Sequence, residues 1–263
     1  MSTTRRLSRI FASDGRAVIV ALDHGLIDGP CEGFEEPASV INQVVAGGAD
    51  AILTSYGIAQ RYETELSRVG LILRGDGAAT NLGTPSDGSA SSLFFTVEEA
   101  LRIGADALVV TALPGCEKEE ATLTNLARMT REAHRWGVPV LGEMVPGGFN
   151  SAPELRGAEA VAVAARLGAE LGADFIKAPY TDNYSTVTSG TFAPVVILGG
   201  SKGSERDTLS NIADAISAGA AGVAIGRNVF QCEDPRAMTA AIVAVVHGGA
   251  TADEAMAMLS AGA

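Results

Sequence analysis

Eight short apolar runs alternate with amphipathic segments along the chain of 263 residues. The runs are Ala17–Asp23, Asp50–Ser55, Val69–Arg74, Asp106–Ala112, Val138–Val145, Ala173–Ala178, Ala193–Gly199 and Ala221–Gly226. Their continuous apolar character is typical of strands buried on both faces of a parallel sheet. The intervening segments have helical periodicity and are Glu36–Ala46, Ile58–Arg68, Thr96–Ile103, Ala121–Trp136, Ala158–Leu171, Arg206–Ala218, Pro235–His247 and Thr251–Leu259. Strands alternating with helices in eight units predict a (β/α)8 TIM barrel that forms one domain over residues 1–263.

An open, doubly wound sheet is the alternative fold for this pattern. That fold favours a glycine-rich turn after its first strand, whereas Asp23-His24-Gly25 follows the first run here.

Several helix boundaries also carry recognisable signals. Gly137 and Gly172 follow helical segments directly, as helix-ending glycines do. Thr251 and Glu254 have the spacing of a capping box at the start of the last helix.

Composition excludes several classes of function. The chain carries 31 acidic residues against 19 Lys and Arg, a net charge of −12, which disfavours binding to nucleic acid or to an anionic membrane. No apolar run approaches the roughly 20 residues that span a bilayer. The three cysteines, Cys31, Cys116 and Cys232, are widely spaced and form no Cys-x-x-Cys pair, which favours a reducing compartment. We therefore expect a cytoplasmic protein that binds a small molecule.

A lysine interrupts one of the predicted buried strands. Lys177 follows Phe175-Ile176 and precedes Ala178 in an apolar run, and the chain contains only three lysines. Burial of an unpaired ammonium group is costly, so the chain must supply a counter-charge or hold the amine uncharged. An uncharged amine is a nucleophile that attacks carbonyl carbons. Lys177 is therefore either a structural lysine paired with an acid or a nucleophile that forms a Schiff base.

Acidic residues stand at the carboxyl ends of other predicted strands, where barrel active sites lie. Side chains two residues apart share a strand face, and on this basis we expect Glu143 of the preceding strand beside Lys177. Glu143 can hold the lysine charge, or move protons while a carbinolamine forms and collapses. Asp23 can bind a substrate hydroxyl, orient Lys177 or cap the next turn. The adjacent His24 is expected to point to the other face and serve in packing.

The last two runs both end in glycine. Gly199-Gly200-Ser201 and Gly226-Arg227 occupy the strand ends that form the recurrent phosphate site of barrels, because backbone N–H groups can approach an anion closely there. Arg227 can add a charged contact. The alternative is that the glycines serve only in tight turns. The pair predicts a phosphate site at Gly200, Ser201, Gly226 and Arg227, which would allow an acidic protein to hold an anionic substrate.

Metal-assisted chemistry is disfavoured by the distribution of the histidines. His134 lies within a predicted helix and His247 near the end of another, so His24, His134 and His247 cannot be assembled at the barrel mouth. We expect neither a metal nor a cofactor.

Four stretches resemble the DhnA-type class I aldolases, relatives of archaeal fructose-bisphosphate aldolase. The stretches are Ala21–Gly25, Gly172–Lys177, Val195–Gly200 and Gly219–Gln231, in family order over nearly the whole chain. The most specific part is Gly-Arg-Asn-x-Phe-Gln, which starts at Gly226. The resemblance implies a barrel, a Schiff-base lysine at Lys177, a first-strand aspartate at Asp23 and phosphate contacts around Gly200, Ser201, Gly226 and Arg227. It also implies that copies of the chain assemble into a homo-oligomer.

One position departs from the pattern of this family. Relatives that cleave fructose bisphosphate usually carry a tyrosine before a proline near the end of the fifth strand, but Val145 precedes Pro146 here. Valine cannot transfer a proton, and Glu143, two residues earlier on the same face, could replace the tyrosine. We predict a metal-independent class I aldolase that acts on a phosphorylated ketose and releases dihydroxyacetone phosphate or a close analogue.

Other outcomes of the same lysine chemistry stay open. One is a transaldolase-like synthase of an amino-deoxy-heptulosonate, and another is a thiolase acting on a phosphorylated dione, because Gly226–Met258 also resembles a thiolase for a phosphorylated quorum signal. Alternatives of another class are an inactive phosphosugar-binding barrel and an isomerase with Glu143 as its base. The aldehyde half of the substrate is expected to contact Arg74, Asp76 and the long Gly75–Ser92 loop. A second long loop, Pro146–Leu155, is a candidate lid or substrate loop.

Overall fold

The structure is a computed structural model that describes residues 2–77, 80–82 and 92–261. Within these residues the strands are β1 (Ala17–Leu22), β2 (Ala51–Thr54), β3 (Gly70–Arg74), β4 (Asp76–Gly77), β5 (Ser92–Leu93), β6 (Ala107–Ala112), β7 (Val140–Met144), β8 (Phe175–Pro179), β9 (Val195–Leu198) and β10 (Gly222–Ile225). The helices are α1 (Thr4–Leu7), α2 (Gly25–Asp28), α3 (Pro37–Ala46), α4 (Tyr56–Arg61), α5 (Glu63–Leu66), α6 (Val97–Arg102), α7 (Glu119–Arg135), α8 (Ala158–Glu170), α9 (Ser185–Gly190), α10 (Glu205–Ser217), α11 (Arg227–Phe230), α12 (Pro235–Val246) and α13 (Ala252–Ala261). A 3₁₀ turn covers Pro153–Leu155.

Eight parallel strands close into a barrel, in the order β1-β10-β9-β8-β7-β6-β3-β2. Closure is visible at β1, which pairs with β2 on one side and with β10 on the other. The short strands β4 and β5 form a separate antiparallel pair after β3. The predicted (β/α)8 barrel is therefore confirmed. No helix of the described residues is long and apolar enough to cross a membrane.

The barrel interior is filled by apolar side chains from alternate positions of the strands. These inward residues include Ile19, Ala21, Ile72, Val109, Leu141, Phe175, Val196 and Ala224, all nearly inaccessible. The amino-terminal segment packs against the same cluster. Ile10 is fully buried, and the ring of Phe11 meets Phe175 edge-on with centroids 5.2 Å apart. The amino-terminal end of the barrel is thus packed with apolar side chains, and polar side chains project at the carboxyl ends of the strands.

Aspartates hold the strands together at the packed end. Each stands directly before a strand, and its carboxylate accepts a hydrogen bond from the first or second residue of the neighbouring barrel strand. The bonds are Val18 N to Asp50 at 2.7 Å, Leu71 N to Asp106 at 3.0 Å and Val140 N to Asp174 at 2.8 Å. Two histidines support them: His247 bonds to Asp50 and Asp14, and His134 bonds to Asp174. Both histidines therefore have structural partners away from the barrel mouth.

Several helices differ from the sequence prediction. The predicted Ile58–Arg68 helix begins at Tyr56 and is divided into α4 and α5 at Tyr62, whose φ of −116° and ψ of 37° are not helical. The sequence Ser-Thr-Val-Thr-Ser-Gly of α9 has low helix propensity, so this helix was missed. The predicted capping box of the last helix is confirmed by reciprocal bonds between Thr251 and Glu254. Much of the predicted Gly75–Ser92 loop lies outside the described residues.

Candidate active site

A cavity of about 810 Å³ opens at the carboxyl ends of the strands. Strand register explains why polar residues reach it. On several strands the last inward apolar residue is followed two positions later by a polar one, as in Phe175 and Lys177 on β8 or Leu141 and Glu143 on β7. Every residue predicted to form the site lines this cavity, namely Asp23, Glu143, Lys177, Gly200, Ser201, Gly226 and Arg227.

Lys177 and Glu143 form a buried ion pair. The two residues are direct partners in the β7–β8 register, and Lys177 Nζ lies 2.7 Å from Glu143 Oε1. Their side chains are only 6% and 4% exposed. The expected juxtaposition of the lysine with the acid from the preceding strand is therefore confirmed. The acid supplies the counter-charge without which burial of the ammonium group would be prohibitive.

Arg74 connects the carboxylates of the site. Its guanidinium lies 2.8 Å from Asp23 Oδ2, 2.8 Å from Glu143 Oε2 and 3.2 Å from Asp76 Oδ1. Thr111 accepts a hydrogen bond from Arg74 Nη1 at 2.7 Å and donates one to Glu143 at 2.9 Å. Asp23 therefore belongs to a network built on Arg74. Sequence reasoning assigned Arg74 and Asp76 to the aldehyde half of a substrate and did not foresee this central position.

The charge state of Glu143 follows from its neighbours. Burial by itself raises the pKa of a carboxyl, but the charges of Arg74 and Lys177 outweigh burial and hold the pKa of Glu143 far below its ordinary value of 4.5. Hydrogen bonds from Lys177 and Thr111 act in the same direction. Glu143 is thus a carboxylate at neutral pH, and its weak basicity depends on two adjacent cations.

The last two strand ends form a tightly connected pair of turns. Gly200 has a φ of +66°, a conformation that favours glycine. Arg227 Nη2 donates to the Gly200 carbonyl at 3.1 Å. Asn228, buried below both turns, donates to the carbonyls of Gly199 and Ser201 at 2.8 and 3.0 Å. Its side-chain oxygen accepts a hydrogen bond from the backbone N–H of Gly203.

Sequence reasoning did not assign Asn228 a role. The available signal was an asparagine directly after Gly226 and Arg227, at the end of a strand predicted to be buried. A buried asparagine side chain normally bonds to backbone groups.

His24 is placed differently from its prediction. It was expected to point away from the site and to pack. Its ring does pack edge-on against Phe230, with centroids 5.2 Å apart, but it also lines the cavity. The residue is the N-cap of helix α2 and does not continue β1, so strand alternation no longer applies to it.

The segment between β7 and α8 also contributes to the wall of the cavity. It contributes Val145, Pro146, Gly148, Phe149, Asn150, Ser151, Leu155 and Arg156. Thus the predicted Pro146–Leu155 loop does border the cavity. No tyrosine occurs among the described residues that line it. Among all residues that the structure describes, no cluster of three or more His, Cys, Asp or Glu side chains is arranged to hold a metal ion.

A buried lysine–carboxylate pair at the mouth of a barrel is an arrangement that an enzyme activating carbonyl groups through an amine can use. The chain belongs to the DeoC/LacD family of aldolases, whose family model matches residues 17–232. It is a lyase of the class I type, in which a lysine forms a Schiff base with the substrate. The resemblance drawn from the sequence motifs is thereby confirmed.

Curated relatives include two proteins named 2-amino-3,7-dideoxy-D-threo-hept-6-ulosonate synthase. The protein from Halobacterium salinarum is 40% identical and the alignment covers 97% of this chain and 95% of the relative. The protein from Archaeoglobus fulgidus is 35% identical, with coverage of 96% and 94%. Among solved structures, an archaeal fructose 1,6-bisphosphate aldolase is 34% identical with a TM-score of 0.85, covering 94% of this chain and all of its own.

Proposed function

We propose that this class I aldolase makes or breaks a carbon–carbon bond in a phosphorylated ketose, with Lys177 as the nucleophile. The observation that carries the proposal is the buried Lys177–Glu143 contact of 2.7 Å inside a cavity that also contains the glycine-rich strand ends. A related structure is described as an archaeal fructose-1,6-bisphosphate aldolase with its catalytic lysine bound to a carbinolamine intermediate. It is 33% identical with a TM-score of 0.84.

The reaction begins with attack of the uncharged Lys177 amine on the ketone carbon. The resulting carbinolamine loses water and becomes an iminium ion. Removal of the proton from the hydroxyl on the β-carbon breaks the bond between the α- and β-carbons. The bonding electrons move into the iminium, which becomes an enamine, and an aldehyde leaves. Protonation of the enamine and hydrolysis then release the second product and restore the amine.

Glu143 is proposed to move the protons in this sequence. At rest its carboxylate is stabilised by Lys177 and Arg74, and it is therefore a weak base. Once the lysine nitrogen becomes the uncharged amine of a carbinolamine, one of those cations is lost. Loss of an adjacent positive charge raises the pKa of a carboxylate. Glu143 thus gains basicity while the carbinolamine exists, when protons must move as water leaves. In the iminium the positive charge returns beside Glu143, and cleavage of the carbon–carbon bond neutralises that charge as the enamine forms.

Asp23 and the turns after β9 and β10 are proposed to position the substrate. Arg74 holds the Asp23 carboxylate at the cavity wall, where its second oxygen can accept a bond from a substrate hydroxyl. The phosphate is assigned to the group of Gly200, Ser201, Gly226 and Arg227. Backbone N–H groups at glycine turns and one guanidinium suit a phosphate monoester.

A second candidate is a synthase that transfers the lysine-bound fragment to an aldehyde. Two observations favour it: the curated relatives named as amino-dideoxy-heptulosonate synthases, and Val145 in the position where fructose bisphosphate-cleaving relatives are expected to carry a tyrosine. The product name of those relatives denotes an α-amino acid at one end of a hydroxy ketone. The acceptor in this case would be an aldehyde that carries an α-amino acid group.

Product analysis tests both candidates with one pair of variants. Wild-type protein is incubated with phosphorylated ketoses, with and without the amino acid aldehyde. Release of dihydroxyacetone phosphate or an analogue without acceptor supports the aldolase, and turnover only with acceptor supports the synthase. Lys177→Met should abolish either reaction, whereas Lys118→Met, at an exposed lysine, should leave it intact. Retained activity in Lys177→Met contradicts the proposal.

A further inference from the structure

His24 packs against the turn that carries Gly226, one of the proposed phosphate-binding residues, and lines the same cavity as Lys177. A Cβ atom added to Gly226 would lie 2.4 Å from His24 Cε1, so the ring lies directly on that glycine. The ring also contacts Phe230, which follows Gly226 in the same turn. The orientation of the imidazole is therefore fixed by the segment that carries Arg227.

The imidazole has unused hydrogen-bonding capacity. His24 Nδ1 is buried and has no hydrogen-bond partner in the described part of the chain. Asp23 Oδ1 is 3.7 Å away, which is too far for a hydrogen bond. Buried polar atoms without a partner are rare in folded proteins, and each one calls for an explanation. Because Nδ1 has almost no accessible surface, a ligand would meet the other edge of the ring, which is 21% exposed and lines the cavity.

Burial, together with two nearby cations, favours the neutral form of the His24 ring when no ligand is bound. Burial has the largest effect and lowers the pKa of His24 below 6.5. Lys177 and Arg227 lower this pKa further, while Asp23 and Asp28 raise it in part. Two cations from separate elements therefore act against protonation. A bound anion would counter the two cations and favour protonation of the ring.

We propose that His24 is a phosphate-binding residue that takes up a proton from solvent as a phosphate monoester binds. The inference rests on the phosphate site proposed above. A dianion held by Gly226 and Arg227 would lie beside the imidazole and favour its charged form. The charged ring donates a hydrogen bond to a phosphate oxygen. No covalent bond changes, and the single proton is supplied by the buffer.

Nuclear magnetic resonance of the intact protein tests the proton uptake directly. The chain has three histidines, so their imidazole signals can be assigned from His→Gln variants and titrated separately. The probe is glycerol 3-phosphate, a phosphate monoester without the carbonyl group that a Schiff base requires. Saturation should raise the titration midpoint of His24 by about 1 to 3 pH units, while the chemical shifts of the His134 imidazole at fixed pH should not change on binding. An unchanged His24 midpoint at saturation overturns the proposal.

Calorimetry in buffers of different ionisation enthalpy separates this inference from the phosphate site itself. His24→Gln should bind glycerol 3-phosphate about ten- to a hundredfold more weakly near pH 7 and lose the proton uptake. The matched control His134→Gln should bind like the wild type. If His24→Gln binds with the same affinity and the same proton uptake as the wild type, the proposed role of His24 is overturned and the phosphate site itself is retained. Absence of binding to the wild type overturns the phosphate site and this inference with it.

Discussion

Arg74 is the residue of the active-site network whose loss is expected to destabilise the fold most. Replacement by methionine keeps much of the apolar stem and removes the guanidinium. We expect Arg74→Met to lower the free energy of unfolding at pH 7 by about 3–5 kcal/mol, the cost of breaking a buried ion pair by removing one partner.

The structure explains why the cost is large. The Arg74 side chain is 10% exposed and pairs with three carboxylates at 2.8–3.2 Å, those of Asp23, Asp76 and Glu143. In the variant, these carboxylates would lose their shared cation. The matched control is Arg166→Met, which removes a half-exposed arginine from an i,i+4 pair on α8. Such exposed pairs contribute about 0.3–0.5 kcal/mol.

Urea denaturation of the wild type and both variants measures the effect, and its pH dependence identifies the cause. The folded-state pKa of Glu143 lies below its ordinary 4.5, so its stabilisation is present above pH 4.5 and is lost as pH falls through the folded value. In Arg74→Met that pKa rises, and the stability difference from the wild type should narrow as pH falls below about 5. A destabilisation at pH 7 no larger than that of Arg166→Met refutes the reasoning.

Three further predictions concern single positions. Glu143→Gln should lower the turnover rate about 10²- to 10⁴-fold in steady-state assays, while borohydride still traps substrate on Lys177; full turnover would remove Glu143 from the mechanism. Gly226→Ala should weaken glycerol 3-phosphate binding in calorimetry, because its methyl group would clash with His24; unchanged binding contradicts this. Burial opposes protonation of His247, but its bonds to two aspartates prevail and raise its pKa above 6.5. The contribution of protonated His247 to the free energy of unfolding should therefore be full below pH 6.5 and disappear as pH rises through the raised pKa. His247→Gln should remove this pH dependence of the free energy of unfolding, measured by urea denaturation at several pH values.

Local patterns in the sequence were sufficient to predict the barrel and the lysine–acid pair. Each strand is a continuous apolar run, because parallel barrel strands are buried on both faces. Neighbouring parallel strands bring residues of the same parity together, so Glu143 could be placed beside Lys177 before the register was known. The assembly into a homo-oligomer stays a prediction.

Contacts that depend on closure of the barrel or on the turns after its strands could not be predicted in this way. Arg74 on β3 reaches Glu143 on β7 across the barrel mouth, and that reach depends on barrel closure and side-chain length. The position of His24 depends on the turn into α2, where strand parity ends. The links from Asn228 to the neighbouring turn require the three-dimensional proximity of β9 and β10.

The central claim is that the Lys177 amine bonds covalently to a substrate carbonyl. Borohydride reduction in the presence of a phosphorylated ketose or dihydroxyacetone phosphate, followed by peptide mass mapping, tests it directly. Because the chain has only three lysines, the site of any adduct is unambiguous. The account predicts a stable reduced adduct on Lys177 and none on Lys118 or Lys202. Substrate turnover without any adduct on Lys177, or with the adduct on another lysine, would contradict it.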